Sequence, residues 1–156
     1  MLIPFLWFDG QAEQAAALYT SVFPDSEVLS TSRYGPDVPG GEEGDVMTVS
    51  FRLGEQQWTA LNGGPRFQFT EAVSFQIPCA DQAEVDHYWD ALVEGGEPGQ
   101  CGWLKDRFGL SWQVVPTALF TLLSDPDPGR AQRATQAMLG MQKLDVAALT
   151  AAVDAA

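Results

Sequence analysis

The side chains that do most covalent and metal chemistry are scarce in this chain: one histidine, His87, and two cysteines, Cys79 and Cys101, among 156 residues. Two thiols are too few for a disulfide scaffold or a four-thiolate metal site, so both are expected to be reduced and packed. Cys101 stands in Gly99-Gln100-Cys101-Gly102-Trp103-Leu104-Lys105, where the nearby cation could lower its pKa and make it reactive. His87 falls in the middle of a helix-like stretch, which suits a surface or packed residue better than a catalytic base. What the chain does supply is a set of polar groups recurring within apolar stretches: Thr48, Ser50 and Arg52, then Thr59, then Ser74 and Gln76, and finally Gln113. With Phe8 and Leu61 as apolar walls, that set suits non-covalent recognition of a small organic molecule. Arg52 could hold an anionic group of the ligand or pair with an acid at the rim.

The elements that must position these residues are marked by a repeat. Gln-Ala-Glu occurs at 11–13 and again at 82–84, each time after an apolar run and at the start of a stretch with helical spacing. In the first copy the pattern predicts a strand through Phe8, an Asp9-Gly10 turn whose Asp9 can cap the helix, and a helix from Gln11 to about Phe23. A strand over 27–34 follows, then a Gly- and Pro-rich stretch at 35–44 with the composition of a mobile loop and a candidate lid. A hairpin of 46–53 and 56–61 comes next. In the second copy a strand at 72–78, a helix at 81–93, an irregular strand at 100–106 and a last strand at 110–115 repeat the order. The expected fold is α+β: paired βαβββ modules, about 1–66 and 71–116, forming a concave mixed sheet within one domain, 1–116. From Thr117 the chain turns Ala-rich and helical, an extension over 117–156. There Ala131, Ala134, Met138 and Met141 form a small apolar stripe, expected to pack on its own domain or on a second subunit.

Side chains alternate between the faces of a strand, so the polar set can be assigned to one side. Ile3, Phe5, Trp7, Met47, Val49, Phe51, Leu53, Trp58, Ala60, Val73, Phe75, Ile77, Leu110, Trp112 and Val114 are expected on the helix-covered face. Pro4, Leu6 and Phe8 are then expected on the open face with Thr48, Ser50, Arg52, Gln57, Thr59, Leu61, Ser74, Gln76, Ser111, Gln113 and Val115. Hydroxyls and amides mixed with large apolar groups on that face resemble the lining of a small-molecule cavity.

Composition excludes some partners. The formal charge of −13 repels phosphate backbones and anionic membrane surfaces, so nucleic-acid binding is not expected. No apolar run approaches the roughly 20 residues of a spanning helix, and no signal-peptide pattern opens the chain. A cytoplasmic protein that does not bind membranes is the expectation.

Four motifs carry a family resemblance: Phe5-Leu6-Trp7-Phe8-Asp9-Gly10, Ala60-Leu61-Asn62-Gly63-Gly64-Pro65, Cys101-Gly102-Trp103-Leu104-Lys105-Asp106 and Phe108-Gly109-Leu110-Ser111-Trp112-Gln113. With the doubled βαβββ order they resemble the PhnB-like branch of the vicinal oxygen chelate (glyoxalase and bleomycin-resistance) superfamily, whose members often carry the label 3-demethylubiquinone-9 3-methyltransferase. The resemblance is taken to run through the tail. It implies a concave sheet, a homodimer and, in enzymatic members, a divalent metal held by His and Glu from four strands. Carried onto this chain, those four positions are Pro4, Thr59, Ser74 and Gln113, which are poor ligands for Zn²⁺ or Ni²⁺. No metal and no cofactor are therefore expected. Methyl transfer finds little support either, because no glycine cluster follows a strand and opens a helix in the manner of a nucleotide-binding turn. The expected function is metal-free binding of a small organic molecule by a homodimer. The alternatives are a lyase, isomerase or transferase with an unrecognised acid or base, and a ligand-free structural homodimer.

Overall fold

Each Gln-Ala-Glu does follow a strand and open a helix. The computed structural model describes residues 1–155, and the chain divides into two compact units, Met1–Phe69 and Thr70 onward. The fold is α+β, each unit holding a four-stranded mixed sheet.

In the first unit β1 (Phe5–Phe8), α1 (Ala12–Val22), β2 (Glu27–Arg33), β3 (Val46–Leu53) and β4 (Gln56–Asn62) form a sheet in the order β1-β4-β3-β2. The pair β1–β4 is parallel; the other two are antiparallel. Ala12, Ala15, Ala16, Tyr19 and Val22 recur at helical spacing and are all buried, so α1 lays one stripe across β3 and β4. Beneath it the rings of Tyr19, Phe51 and Trp58 follow one another at centroid separations of 6.1 and 6.3 Å.

Strand β1 corrects the expected assignment of faces. Leu6 and Phe8 are buried, at 5% and 2% exposure, whereas Phe5 is 62% exposed and Trp7 partly so. The register explains it: Leu6 stands beside fully buried Ala60, and Phe5 beside Thr59. Pro4 has the parity of Leu6 and Phe8, so it too belongs to the helix-facing side. Both parities of β1 are apolar, and alternation alone could not choose between them.

The start of α1 departs from expectation as well. Gln11 is the cap residue and makes no side-chain cap bond. The Ala12 amide instead donates to Asn62 Oδ1 at 2.8 Å, while Asn62 Nδ2 donates to the Val46 carbonyl at 3.1 Å. One amide at the end of β4 thus ties the helix to both central strands, β3 and β4.

The second unit repeats the order with β5 (Phe75–Cys79), α2 (Gln82–Val93), β6 (Glu97–Pro98), β7 (Trp103–Lys105) and β8 (Ser111–Pro116), arranged β5-β8-β7-β6. Asp81 caps α2 by accepting from the Glu84 amide at 2.9 Å, and the Glu84 carboxylate accepts from the Ala80 amide. Asp106, 2% exposed, organises the turn before β8 by accepting from the Phe108 and Leu110 amides and from Trp112 Nε1, all within 3.1 Å. Two of the quoted motifs, 101–106 and 108–113, are thereby one device.

The tail forms α3 (Thr117–Leu123), α4 (Pro128–Leu139) and α5 (Val146–Asp154). Leu119, Leu144 and Leu149 bury themselves with Val115 of β8, and Met138 and Met141 pack against that cluster. The apolar stripe therefore packs within its own unit. Gln82 joins the tail to α2: its Oε1 accepts from the Val146 amide at 2.8 Å and its Nε2 donates to the Leu144 carbonyl. Gly102 has φ +83° and lies where a Cβ would meet the Val114 carbonyl oxygen at 2.6 Å, so glycine is required there.

Because Asn62 satisfies a helix-end donor and a strand carbonyl at once, Asn62→Ala should destabilise the protein by about 2 kcal/mol, read as a lowered urea midpoint. Asp9→Ala should cost less than about 0.5 kcal/mol.

Candidate functional site

The register of the first sheet assembles an open face in rows. Trp7, Leu61 and Thr48 are successive cross-strand neighbours, and Phe5, Thr59 and Ser50 form the next row. Thr48, Ser50, Thr59 and Leu61 thus lie together on this face; Phe8 is not among them, and Phe5 and Trp7 take its place. Thr48 and Ser32 share a hydroxyl–hydroxyl bond of 2.5 Å, and Gln57 Nε2 donates to Ser50 Oγ at 3.1 Å. Arg52 is occupied structurally: it pairs with Glu27 at 2.9 Å and donates to the carbonyls of Asp25 and Gly54.

A cavity of about 380 Å³ opens at the Trp7 end of this face. Trp7, Met47, Leu61 and Gly63 form one side, Tyr34, Val38, Pro39 and Gly40 the other, and Arg66 borders it. Its position follows from local packing. Trp7 lies against Gly63, where a Cβ would come within 2.3 Å of the indole; its Nε1 donates to the Gly64 carbonyl at 2.8 Å, and its ring meets Phe67 edge-on at 4.9 Å. Opposite, the 35–44 loop is fastened at its root. Tyr34, 5% exposed, packs its ring against Gly40 and Gly41, donates its hydroxyl to the Asn62 carbonyl, and accepts from the Gly44 amide at 2.9 Å. The loop walls the cavity. A second cavity of about 300 Å³ shares Tyr34 and Gly40 and is bordered by the carboxylates of Asp9, Glu13 and Asp45.

In the second unit the remaining three candidates form a chain of side-chain bonds. Gln113 Nε2 donates to Ser74 Oγ at 2.8 Å, and Gln76 Nε2 donates to Gln113 Oε1 at 3.3 Å. Nearby, Trp103, Lys105 and Ser111 line a cavity of about 200 Å³. The Lys105 ammonium contacts Glu71 at 2.5 Å; this pair holds the Glu71 carboxyl below its ordinary pKa and raises that of the lysine.

The metal expected of enzymatic members of the superfamily does not fit these residues. Thr59, Ser74 and Gln113 offer neutral oxygens, the Gln113 amide is engaged with its neighbours, and Pro4 offers no side-chain donor. Among the described residues no group of three or more His, Cys, Asp or Glu side chains is placed to hold a metal ion. His87 lies exposed on α2, its ring edge-on to Tyr88 at 5.0 Å.

Residues 1–115 match the family described as 3-demethylubiquinone-9 3-methyltransferase. The chain belongs to that family. The PhnB protein of Bacillus cereus is 34% identical, with a TM-score of 0.68, over 74% of this chain and 98% of its own. Protein PA1353 of Pseudomonas aeruginosa is 21% identical (TM-score 0.62; 74% and 96% of the two chains). The fosfomycin resistance protein FosX of Listeria monocytogenes, 15% identical with a TM-score of 0.53 over 80% and 96%, shares the fold. No curated protein sequence matches significantly. The family match stops one residue before the end of β8, so the likeness does not extend through the tail as expected. Helices α3 to α5 lie beyond it.

The two thiols differ in environment. Cys79 is buried with its Sγ directed at the Ile77 carbonyl, and burial, reinforced by Glu84 and Asp81, pushes its pKa up to about 11. Cys101 is half-buried at a turn with φ +59°. A raised pKa leaves less thiolate at any pH below it, so at pH 8 Ellman's reagent should titrate Cys101 in the native protein and Cys79 only after unfolding.

Proposed function

We propose that the protein binds a small organic molecule, without a metal, in the cavity between Trp7, Met47 and Leu61 and the 35–44 loop, and that it works as a cytoplasmic homodimer. One observation carries this reading: an apolar cavity of about 380 Å³, within the range of small-molecule sites, stands on the sheet face where hydroxyls and amides also emerge. Thr48, Ser50 and Thr59 continue that face and supply polar anchors; Ser74, Gln76 and Gln113 are the corresponding polar surface of the second unit. Two free cysteines suit a reducing compartment. Exposed Ile3 and Phe5 of the first unit suit a surface covered by another copy. Among the described residues no helix is long and apolar enough to cross a membrane.

Methyl transfer is the second reading, favoured by the family's description. Against it, the turn from β1 to α1 holds a single glycine, Gly10, and that from β5 to α2, Ala80-Asp81, holds none, so neither makes a glycine-rich cradle for a nucleotide-type donor.

A compound that occupies the cavity at one hundred times its Kd should stabilise the wild type by about 2.7 kcal/mol, or about 5–10 °C in melting temperature. Leu61→Trp, which fills the cavity, should abolish that shift. A panel of planar apolar compounds, with S-adenosylmethionine as the methyl-donor control, separates the two readings; stabilisation by the donor alone would favour the second. Light scattering on the same sample should give twice the chain mass, and a monomer at micromolar concentration would contradict the dimer.

A further inference from the structure

The cations of this acidic chain are nearly all matched. Arg52, Lys105, Arg107, Arg130 and Lys143 each have a carboxylate within 4.0 Å. Arg33 and Arg133 donate to the carbonyls of Gly44 and Val153. Among the described residues Arg66 alone has neither, although 21 acidic residues compete for 8 basic ones. It borders the cavity lined by Trp7, Met47 and Leu61. Its guanidinium is held over the Phe67 ring at 5.3 Å, and Phe67 rests edge-on against Trp7. The packing that builds the cavity wall therefore also positions the charge, which lowers the entropy lost when the guanidinium engages a ligand.

From this placement, and resting on the binding reading above, we infer that the ligand class is an apolar, planar-bodied molecule carrying one anionic group, its body against Trp7 and Leu61 and its anion on Arg66. A guanidinium presents a planar fork that matches a carboxylate. The neighbouring carboxylates Asp9, Glu13 and Asp45 border the adjoining cavity; their repulsion disfavours the reversed orientation and leaves Arg66 as the anion's place.

Calorimetric titration of the full chain with 2-naphthoate and its neutral isostere 2-naphthamide tests the assignment. The wild type should prefer the carboxylate by about fivefold, the scale of one exposed charge pair, and the preference should shrink as salt is raised. Arg66→Gln should remove the preference, bringing the naphthoate and naphthamide affinities together, and Leu61→Trp should remove binding of both. Equal wild-type affinities, or a preference that survives Arg66→Gln, would overturn the role of Arg66 while leaving the cavity reading intact. If neither probe binds the wild type, the cavity reading fails and this inference with it.

Discussion

Asn62 is the constraint on which the first unit depends. Its side chain closes the N-terminus of α1 through the Ala12 amide and holds the Val46 carbonyl of β3, while its own carbonyl accepts the Tyr34 hydroxyl. The same residue ends the parallel pairing of β4 with β1, opposite Phe8. Helix, strands and loop converge on one peptide unit, and the glycines after it let the chain pass beneath Trp7. The cavity is the space left between the two structures so fixed: the indole on one side and the loop hung from Tyr34 on the other.

The second unit uses different anchors for the same topology. Asp106 gathers the turn before β8, and Gln82, the glutamine of the second Gln-Ala-Glu, bonds to the tail at both ends of its amide. Gln11, its counterpart in the first copy, makes no such cap bond. The tail also accepts the Cys101 and Gly102 amides through the carbonyls of Met141 and Gln142, each at 2.8 Å. A segment beyond the family match is thus integrated into the unit's hydrogen bonding and core.

Strands, helices and their order were legible because period-two and period-3.6 patterns alternate clearly along this chain. The face of β1 was not: Ile3, Phe5 and Trp7 are as apolar as Leu6 and Phe8, and only pairing with Ala60 decides. A signal was present in the repeat, since carrying the Gln11–Gln82 offset back to the strands sets Phe8 against Cys79 and Leu6 against Ile77, all buried. Two-residue β6 is too short to leave a pattern. The fastening of the 35–44 loop was hidden because it depends on one aromatic, Tyr34, and on a main-chain carbonyl that composition does not reveal. Arg52 read as a ligand group from its alternation, yet Glu27 and two carbonyls on neighbouring turns occupy it, and among the described residues Arg66, in an irregular segment with no alternation to flag it, is the cation left over.

On the proposed reading, recognition rests on shape and a few polar contacts. The four positions that would hold a metal carry proline, threonine, serine and glutamine, and the amide of Gln113 is already bonded to Ser74 and Gln76. The recognition proposed for Trp7, Leu61 and the loop wall needs no such ion. The most direct test is to follow the Trp7 indole N–H by NMR in chelator-treated protein as 2-naphthoate is added. A saturable shift of that resonance, unchanged by added Zn²⁺ or Ni²⁺, is the predicted result; a shift that develops only after the metal is restored would contradict the account.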